Sequence, residues 1–313
     1  MAAPILTTRR HILRKTFFHA VLPLMLAAPA ASAMASDAIT AANNTIGLAI
    51  GGQNLAYHES PEGTALNIPS TIGTGSAALP DGYLDSQIGT MPALSLSASR
   101  QGEVLGIPDV FTALNVMGAM GTTEYVGSQY TQHCNGIPGT SWYCSASWPS
   151  LDPHTRRDKT YTLDVLAKIG KAFPIGQRAQ VTPYVSVGAH GLDRHMNRYW
   201  HLLAGPGVLV QYAVTGKLVV GADLAVQEVF SAHARESGVN YSLGSRPAVG
   251  LGLSADYAVT RRLHLTASYN LQRFRYGASP TQRNPSSNWK PYAFEPSSKT
   301  AIQSVMVGIA WAY

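Results

Sequence analysis

The feature that most constrains this chain is alternation. From residue 46 to the last residue, segment after segment carries an apolar side chain at every second position, with Gly, Ala, Ser, Thr or a polar group between. A period of two marks a β-strand whose two faces meet different surroundings. It is clearest over 160–173, where Tyr161, Leu163, Val165, Ala167, Ile169 and Phe173 share one face and Thr160, Thr162, Asp164, Lys168 and Gly170 the other. Residues 217–230 repeat it, with Leu218, Val220, Ala222, Leu224 and Val226 opposite Lys217, Gly221, Asp223 and Gln227. So do residues 261–272, with Leu263, Leu265, Ala267, Tyr269 and Leu271 opposite Arg262, His264, Thr266, Ser268 and Asn270. Less regular segments at 46–58, 88–100, 110–122, 179–190, 199–214, 246–259 and 300–313 bring the predicted strands to ten, with eight or twelve as the alternatives. The first changes phase at Gly51-Gly52, which predicts a β-bulge there.

Alternation alone does not say whether the apolar face meets a core or lipid. The connections narrow the choice. Long ones (59–87, 123–159, 191–198, 231–245, 276–299) alternate with short ones at Gly102–Ile107, Pro174–Arg178, Thr215–Gly216 and Thr260–Arg261. An even number of antiparallel strands with short turns at one end and long loops at the other is the layout of an up-and-down transmembrane β-barrel, its termini periplasmic and its long loops outside the cell. Composition agrees. Only 13% of residues are charged, against about 25% in an average soluble protein. With 45% apolar residues the chain is not disordered either, and beyond the amino-terminal stretch no run of about 18 apolar residues offers a membrane helix. Tyr161 and Phe173 stand at the two ends of one apolar face, as Trp200 and Tyr212 do of another. Twelve residues of tilted strand project to roughly 28 Å, close to the ~25 Å apolar band that aromatic girdles bound.

The amino terminus carries Arg9, Arg10, Arg14 and Lys15, an apolar stretch from Phe17 to Ala28, and Ala31-Ser32-Ala33. These features predict a secretory signal peptide over 1–33, cut after Ala33 or alternatively after Ala35. Thr8-Arg9-Arg10 also fits a twin-arginine signal, so the export route stays open. Residues 34–44 then form a short periplasmic segment, and 45–313 the barrel. The segment removes four of the 23 basic residues and none of the 17 acidic ones, so the mature chain carries 19 − 17 = +2 and offers no footing for a nucleic-acid partner. Export makes Cys134 and Cys144, close together in a Gly/Ser/Trp-rich loop, a disulfide candidate.

At the other end Val305, Val307, Ile309, Trp311 and Tyr313 alternate with small residues and finish on an aromatic side chain. Together with the signal segment, the alternation over 45–313 and the run Thr182-Pro183-Tyr184-Val185-Ser186-Val187-Gly188, this chain resembles the small outer-membrane barrels of Gram-negative bacteria, of the opacity-protein kind. Those commonly have eight strands; ten are read here. The resemblance implies a location in the bacterial outer membrane and a terminal signal, residues 305–313, read by the barrel-assembly machinery. It implies no reaction.

Two groups of polar residues invite a function. His190, Asp193, Arg194, His195, Arg198 and His201 fall where one strand leaves the membrane and the next returns. A His beside a carboxylate is a base arrangement, as in outer-membrane proteases that activate a water at the barrel mouth. The reading preferred is a solvated hairpin whose charges meet water and lipopolysaccharide phosphates. The second group faces the lumen: Asp164, Lys168, Asp223, Asp256 and His264, with Asn115, Gln211, Gln227, Asn270 and Gln272. They line a narrow pore or fill a plug of paired charges, with Asp164 and Lys168 as one pair. The last long loop and its stems carry Arg273, Arg275, Arg283, Lys290 and Lys299 against Glu295, a cationic surface suited to lipopolysaccharide phosphate or an acidic partner. Trp142, Tyr143 and Trp148 beside the cysteines suit an adhesive tip or a local cluster that stiffens the loop. The sequence thus predicts a structural or surface-interaction barrel, not an enzyme, without cofactor or metal. A narrow channel is the alternative and a rim hydrolase the third reading.

Overall fold

A computed structural model describes residues 37–60, 85–127, 131–136, 142–147, 154–194, 197–236, 238–280, 282–283 and 292–313. The expected signal peptide and His195 lie outside the described residues. A short helix, α1 (Asp37–Ala42), precedes β1 (Thr45–Ser60), β2 (Asp85–Val104), β3 (Ile107–Gly127), β4 (Thr131–Gly136), β5 (Trp142–Ser147), β6 (His154–Lys171), β7 (Phe173–Ile175) and β8 (Ala179–Arg194). Then follow β9 (Asn197–Ala213), β10 (Leu218–Glu236), β11 (Val239–Ser242), β12 (Arg246–Ala258), β13 (Leu263–Tyr276), β14 (Gln282–Arg283), β15 (Tyr292–Ala293) and β16 (Ser297–Ala312).

Ten long strands, β1, β2, β3, β6, β8, β9, β10, β12, β13 and β16, each pair antiparallel with the next, and β16 pairs back onto β1. The result is a closed, all-β, up-and-down barrel with the ten strands predicted. Closure follows from alternation: once every apolar face points outward, the unpaired backbone of an edge strand would have to meet lipid, and only a closed sheet has no edge. Ile46, Leu48, Ile50, Leu163, Val187, Val226, Leu253 and Leu265 point outward and are exposed, as are the terminal residues Val305, Val307, Ile309, Trp311 and Tyr313.

Two sequence expectations are corrected. Gly51-Gly52 forms no bulge: β1 pairs with β16 in unbroken register from Thr45↔Ala312 to Ser60↔Ser297. The strand bulges instead between Phe230 and His233 in β10, where Ser231 takes a positive φ of 50°. A glycine pair weakens the side-chain pattern there without moving the backbone. The connection read at 191–198 is also no loop, because β8 continues to Arg194 and β9 begins at Asn197. Strands of 13 to 21 residues exceed the 9–11 that cross a bilayer, so the ends at the long connections extend past a bilayer's thickness as a free-standing barrel wall. Among the short turns, that between β2 and β3 needs positive φ at both Leu105 (51°) and Gly106 (79°), the geometry of a tight turn that matches strand twist.

The segment before β1 is not idle: α1 enters the barrel mouth at the end of the short turns. Ile39 is fully buried against Ala213 and Val219. Asn43 spans the mouth, bonded to Gln101 of β2 at 2.8 Å and to Gln211 of β9 at 2.9 Å.

Candidate functional site

The lumen has three layers, and the pleat decides which side chain enters each. At the end of the short turns Asn43, Gln101, Gln180 and Gln211 form a ring of amide–amide bonds: Gln101 to Gln180 at 3.1 Å and back at 3.0 Å, and Gln180 to Gln211 at 3.3 Å. Each amide both donates and accepts, so a closed ring satisfies groups that would be costly alone in a narrow bore.

Above it lies a cavity of about 430 Å³, lined by small residues of β2, by Asn115, Asn270, Gln272 and Gln227, and by Asp164, Lys168, Asp223 and Asp256. Four of the five lumen residues nominated from sequence, and all five accompanying amides, therefore face inward as read; His264 is buried beside Asp256. The pairing differs from expectation. Lys168 is bonded to Asp223 rather than to Asp164, and Asp223 also accepts from the Tyr184 hydroxyl. Asp164 instead meets His190 Nδ1 at 2.6 Å, and Asp256 meets His264 Nδ1 at 2.6 Å. Barrel curvature explains the difference: a side chain that crosses the bore reaches a partner on a distant strand more easily than one on its own strand. Tyr184 lies against the wall because position 207 is glycine, where a Cβ would sit 2.3 Å from its ring.

The layer at the end of the long connections is a packed core. Leu55, Met91, Leu192, Val229, Phe274 and Ile302 are buried inside it. The rings of His190 and His201 lie 5.2 Å apart and both flank Phe274, and His201 is bonded to the Tyr276 hydroxyl at 2.7 Å. Over this core Arg194 is stacked between Tyr57 (4.1 Å) and Tyr199 (4.9 Å) and bonded to Glu59 at 3.0 Å and to the Tyr199 hydroxyl at 2.6 Å. Tyr199 in turn donates to Glu295 at 2.5 Å. The guanidinium thus holds one buried carboxylate directly and a second through the Tyr199 hydroxyl, above the level of the outward-facing girdle residues Tyr161 and Trp200. Burial, and then the charge of Asp85, push the Glu59 carboxyl up to about 7 against the pull of Arg194. Burial, Glu59 and Glu236 raise Glu295 likewise.

The solvated hairpin expected at 190–201 is thereby overturned for its central members. His190, Arg194 and His201 point inward and are at most 3% exposed, and of the described residues in the group only Asp193 and Arg198 face outward, as a 2.7 Å ion pair. The signal was present in the sequence, because the alternation of β8 runs on through Gly188, His190, Leu192 and Arg194. Tyr199 meets Arg194 across the local β8–β9 hairpin, whereas Glu59 and Tyr57 had no such signal, since they meet Arg194 only when the barrel closes. Among the described residues no three His, Cys, Asp or Glu side chains gather in a group that could hold a metal ion.

A closed antiparallel barrel with an apolar outer band, aromatic residues at both its edges and a filled bore is a transmembrane β-barrel of the outer-membrane type. No protein-family model matches the chain, and no curated protein is similar to it in sequence. Solved structures are similar in fold. The outer membrane protease OmpT from Escherichia coli is 9% identical with a TM-score of 0.53, the match covering 90% of this chain and 99% of that one. OprG, an outer membrane protein from Pseudomonas aeruginosa, is 10% identical at a TM-score of 0.30, covering 87% and 98% of the two chains. Ail, the attachment invasion locus protein of Yersinia pestis, is 10% identical at 0.26, covering 87% and 99%.

Proposed function

We propose that this protein is a plugged barrel of the bacterial outer membrane with a structural or surface-interaction role and no catalytic activity. The observation that carries the proposal is closure at both ends: α1 and the amide ring below, the Arg194 layer and its aromatic core above. A conducting pore needs a continuous polar path, and here the path stops at side chains bonded to one another across the bore. The hydrolase reading needs a base open to substrate at the rim, whereas Nε2 of His190 is buried without a hydrogen-bond partner.

Residues 1–33 serve as a cleaved signal peptide, and the final strand as the recognition signal for barrel assembly. The β4–β5 hairpin places Cys134 opposite Cys144, a register that suits a disulfide in an exported loop; the bridge itself lies outside the described residues. Planar-bilayer recording of the refolded full chain tests the main proposal. A quiet membrane is expected, and clear single-channel steps from the unaltered protein would make it a channel instead.

A further inference from the structure

The chamber of about 430 Å³ between the amide ring and the aromatic core carries an unbalanced charge. Three carboxylates line it, Asp164, Asp223 and Asp256, and among the described residues of its wall Lys168 is the single cation. Lys168 is taken by Asp223. That leaves Asp164 and Asp256. Each is held on one oxygen by Nδ1 of a histidine, His190 and His264 respectively, and each side chain is still 16% exposed.

Whether the histidines cancel this charge turns on their second nitrogens. An imidazolium carries an N–H on both ring nitrogens. Nε2 of His190 and Nε2 of His264 are buried without a hydrogen-bond partner, and a charged donor left there without an acceptor bears its full desolvation penalty. A neutral imidazole donates Nδ1–H to the carboxylate and leaves only a lone pair at Nε2, which is the smaller loss. Nor does Asp164 fit as a neutral acid, because its Oδ2 is buried with no acceptor for a proton. Each His–Asp pair therefore keeps one negative charge. Water hydrates such charges but does not neutralise them, and inside a wall surrounded by lipid an uncompensated charge is costly.

Position sets the shape of the cation that would balance them. Asp164 stands at the aromatic-core end, since its partner His190 flanks Phe274. Asp256 stands at the other end, opposite Val219, which packs on Ile39 of α1. The wall between them is built of small side chains, among them Ala49, Ala113 and Ala225, and of Ser304. Ser304 lines the chamber, is 1% exposed and has an Oγ without a hydrogen-bond partner. Two separated carboxylates, a wall of methyl groups and one free hydroxyl suit an extended aliphatic chain with nitrogen at both ends and within it. The chamber's volume lies in the range that holds small molecules.

We propose that this chamber is a binding site for a linear polyamine, with one terminal ammonium on Asp164, the other on Asp256, and an inner amine donating to Ser304. The site does not rest on the plugged reading, because an open bore with the same walls carries the same charge.

The test uses the full chain refolded in nonionic detergent with the amine already present, so that entry requires neither end to open. Equilibrium dialysis against labelled spermidine measures retention, and heat-modifiable gel migration measures the thermal midpoint, which a ligand of the folded barrel raises. About one spermidine per barrel and a midpoint higher by several degrees are expected. Asp164→Asn and Asp256→Asn should each weaken binding at least about ten-fold, as should replacing spermidine by hexylamine, which has one ammonium. Glu124→Gln, at an exposed position of β3, should leave binding unchanged. No retained spermidine overturns the site. Equal binding of hexylamine overturns the two-ended grip, and an equal shift with magnesium chloride at matched ionic strength overturns the polyamine as occupant. Affinity unaltered in both Asn variants, or lost equally in Glu124→Gln, overturns the location. Should an Asn variant not refold, displacement of labelled spermidine from the unaltered chain by hexylamine or magnesium at equal concentration decides against the proposal, and resistance to both supports it.

Discussion

Lys168 and Asp223, 55 positions apart, share one ion pair inside the barrel, and Asp164, four positions from Lys168, bonds elsewhere. A double-mutant cycle separates the two relationships. Coupling between Lys168→Ala and Asp223→Ala should be at least about 1 kcal/mol, whereas coupling between Lys168→Ala and Asp164→Ala should be small, measured as stability in denaturant. Removing Lys168 alone is expected to cost about 3 kcal/mol, because it leaves Asp223 charged in a mostly buried position. Near the top of the bore, Glu59 sets a pH dependence. Its folded-state value of about 7 lies above the ordinary 4.5. The folded protein then holds a proton that the unfolded chain has released. That contribution is complete below about pH 4.5 and is lost as the pH rises through about 7, amounting to at most about 3 kcal/mol. The thermal midpoint of the unaltered protein should therefore fall between pH 5 and pH 8, and Glu59→Gln should flatten that slope; a slope of equal size in the variant would remove Glu59 as its source.

At the scale of elements, α1 is the part whose role was least visible beforehand. Its six residues are too few to be stable alone, and what holds the helix is Ile39 against Ala213 and Val219 together with the Asn43 bonds. Ile39→Ala should cost about 2 kcal/mol or more of barrel stability. Deleting residues 37–43 should open the periplasmic mouth onto the 430 Å³ cavity, seen as faster proton exchange of the Gln101, Gln180 and Gln211 side-chain amides. Unchanged exchange would mean that the amide ring closes the mouth without the helix. The strands themselves were legible almost in full: all ten were read, with cores at the right positions, because each carries its own alternation. Their extracellular ends were not. The read stopped where outward positions turned polar, as at Asp193, although inward positions such as Leu192 and Arg194 kept the rhythm. A wall standing in water loses its apolar outer face but still has an inner one.

For the molecule as a whole, boiling should slow its gel migration, since a closed barrel binds little detergent until unfolded; unchanged mobility would contradict the fold. The low charge that set this chain apart now has two addresses: an outward face in lipid, and an inward face that is either small or paired. Sequence alone favoured ten strands and determined the outward face of all but the first, the end of the barrel that carries the long connections and the inward course of Asp164, Lys168, Asp223, Asp256 and His264. Each of these depends on neighbours along one strand, where the period of two acts. Tertiary structure alone decided which lumen charges pair, that α1 occupies the mouth, and that Arg194 lies between Tyr57 and Tyr199. Those depend on closing the sheet, which brings strands remote in sequence within a side chain's reach across the bore and fixes the register between neighbours.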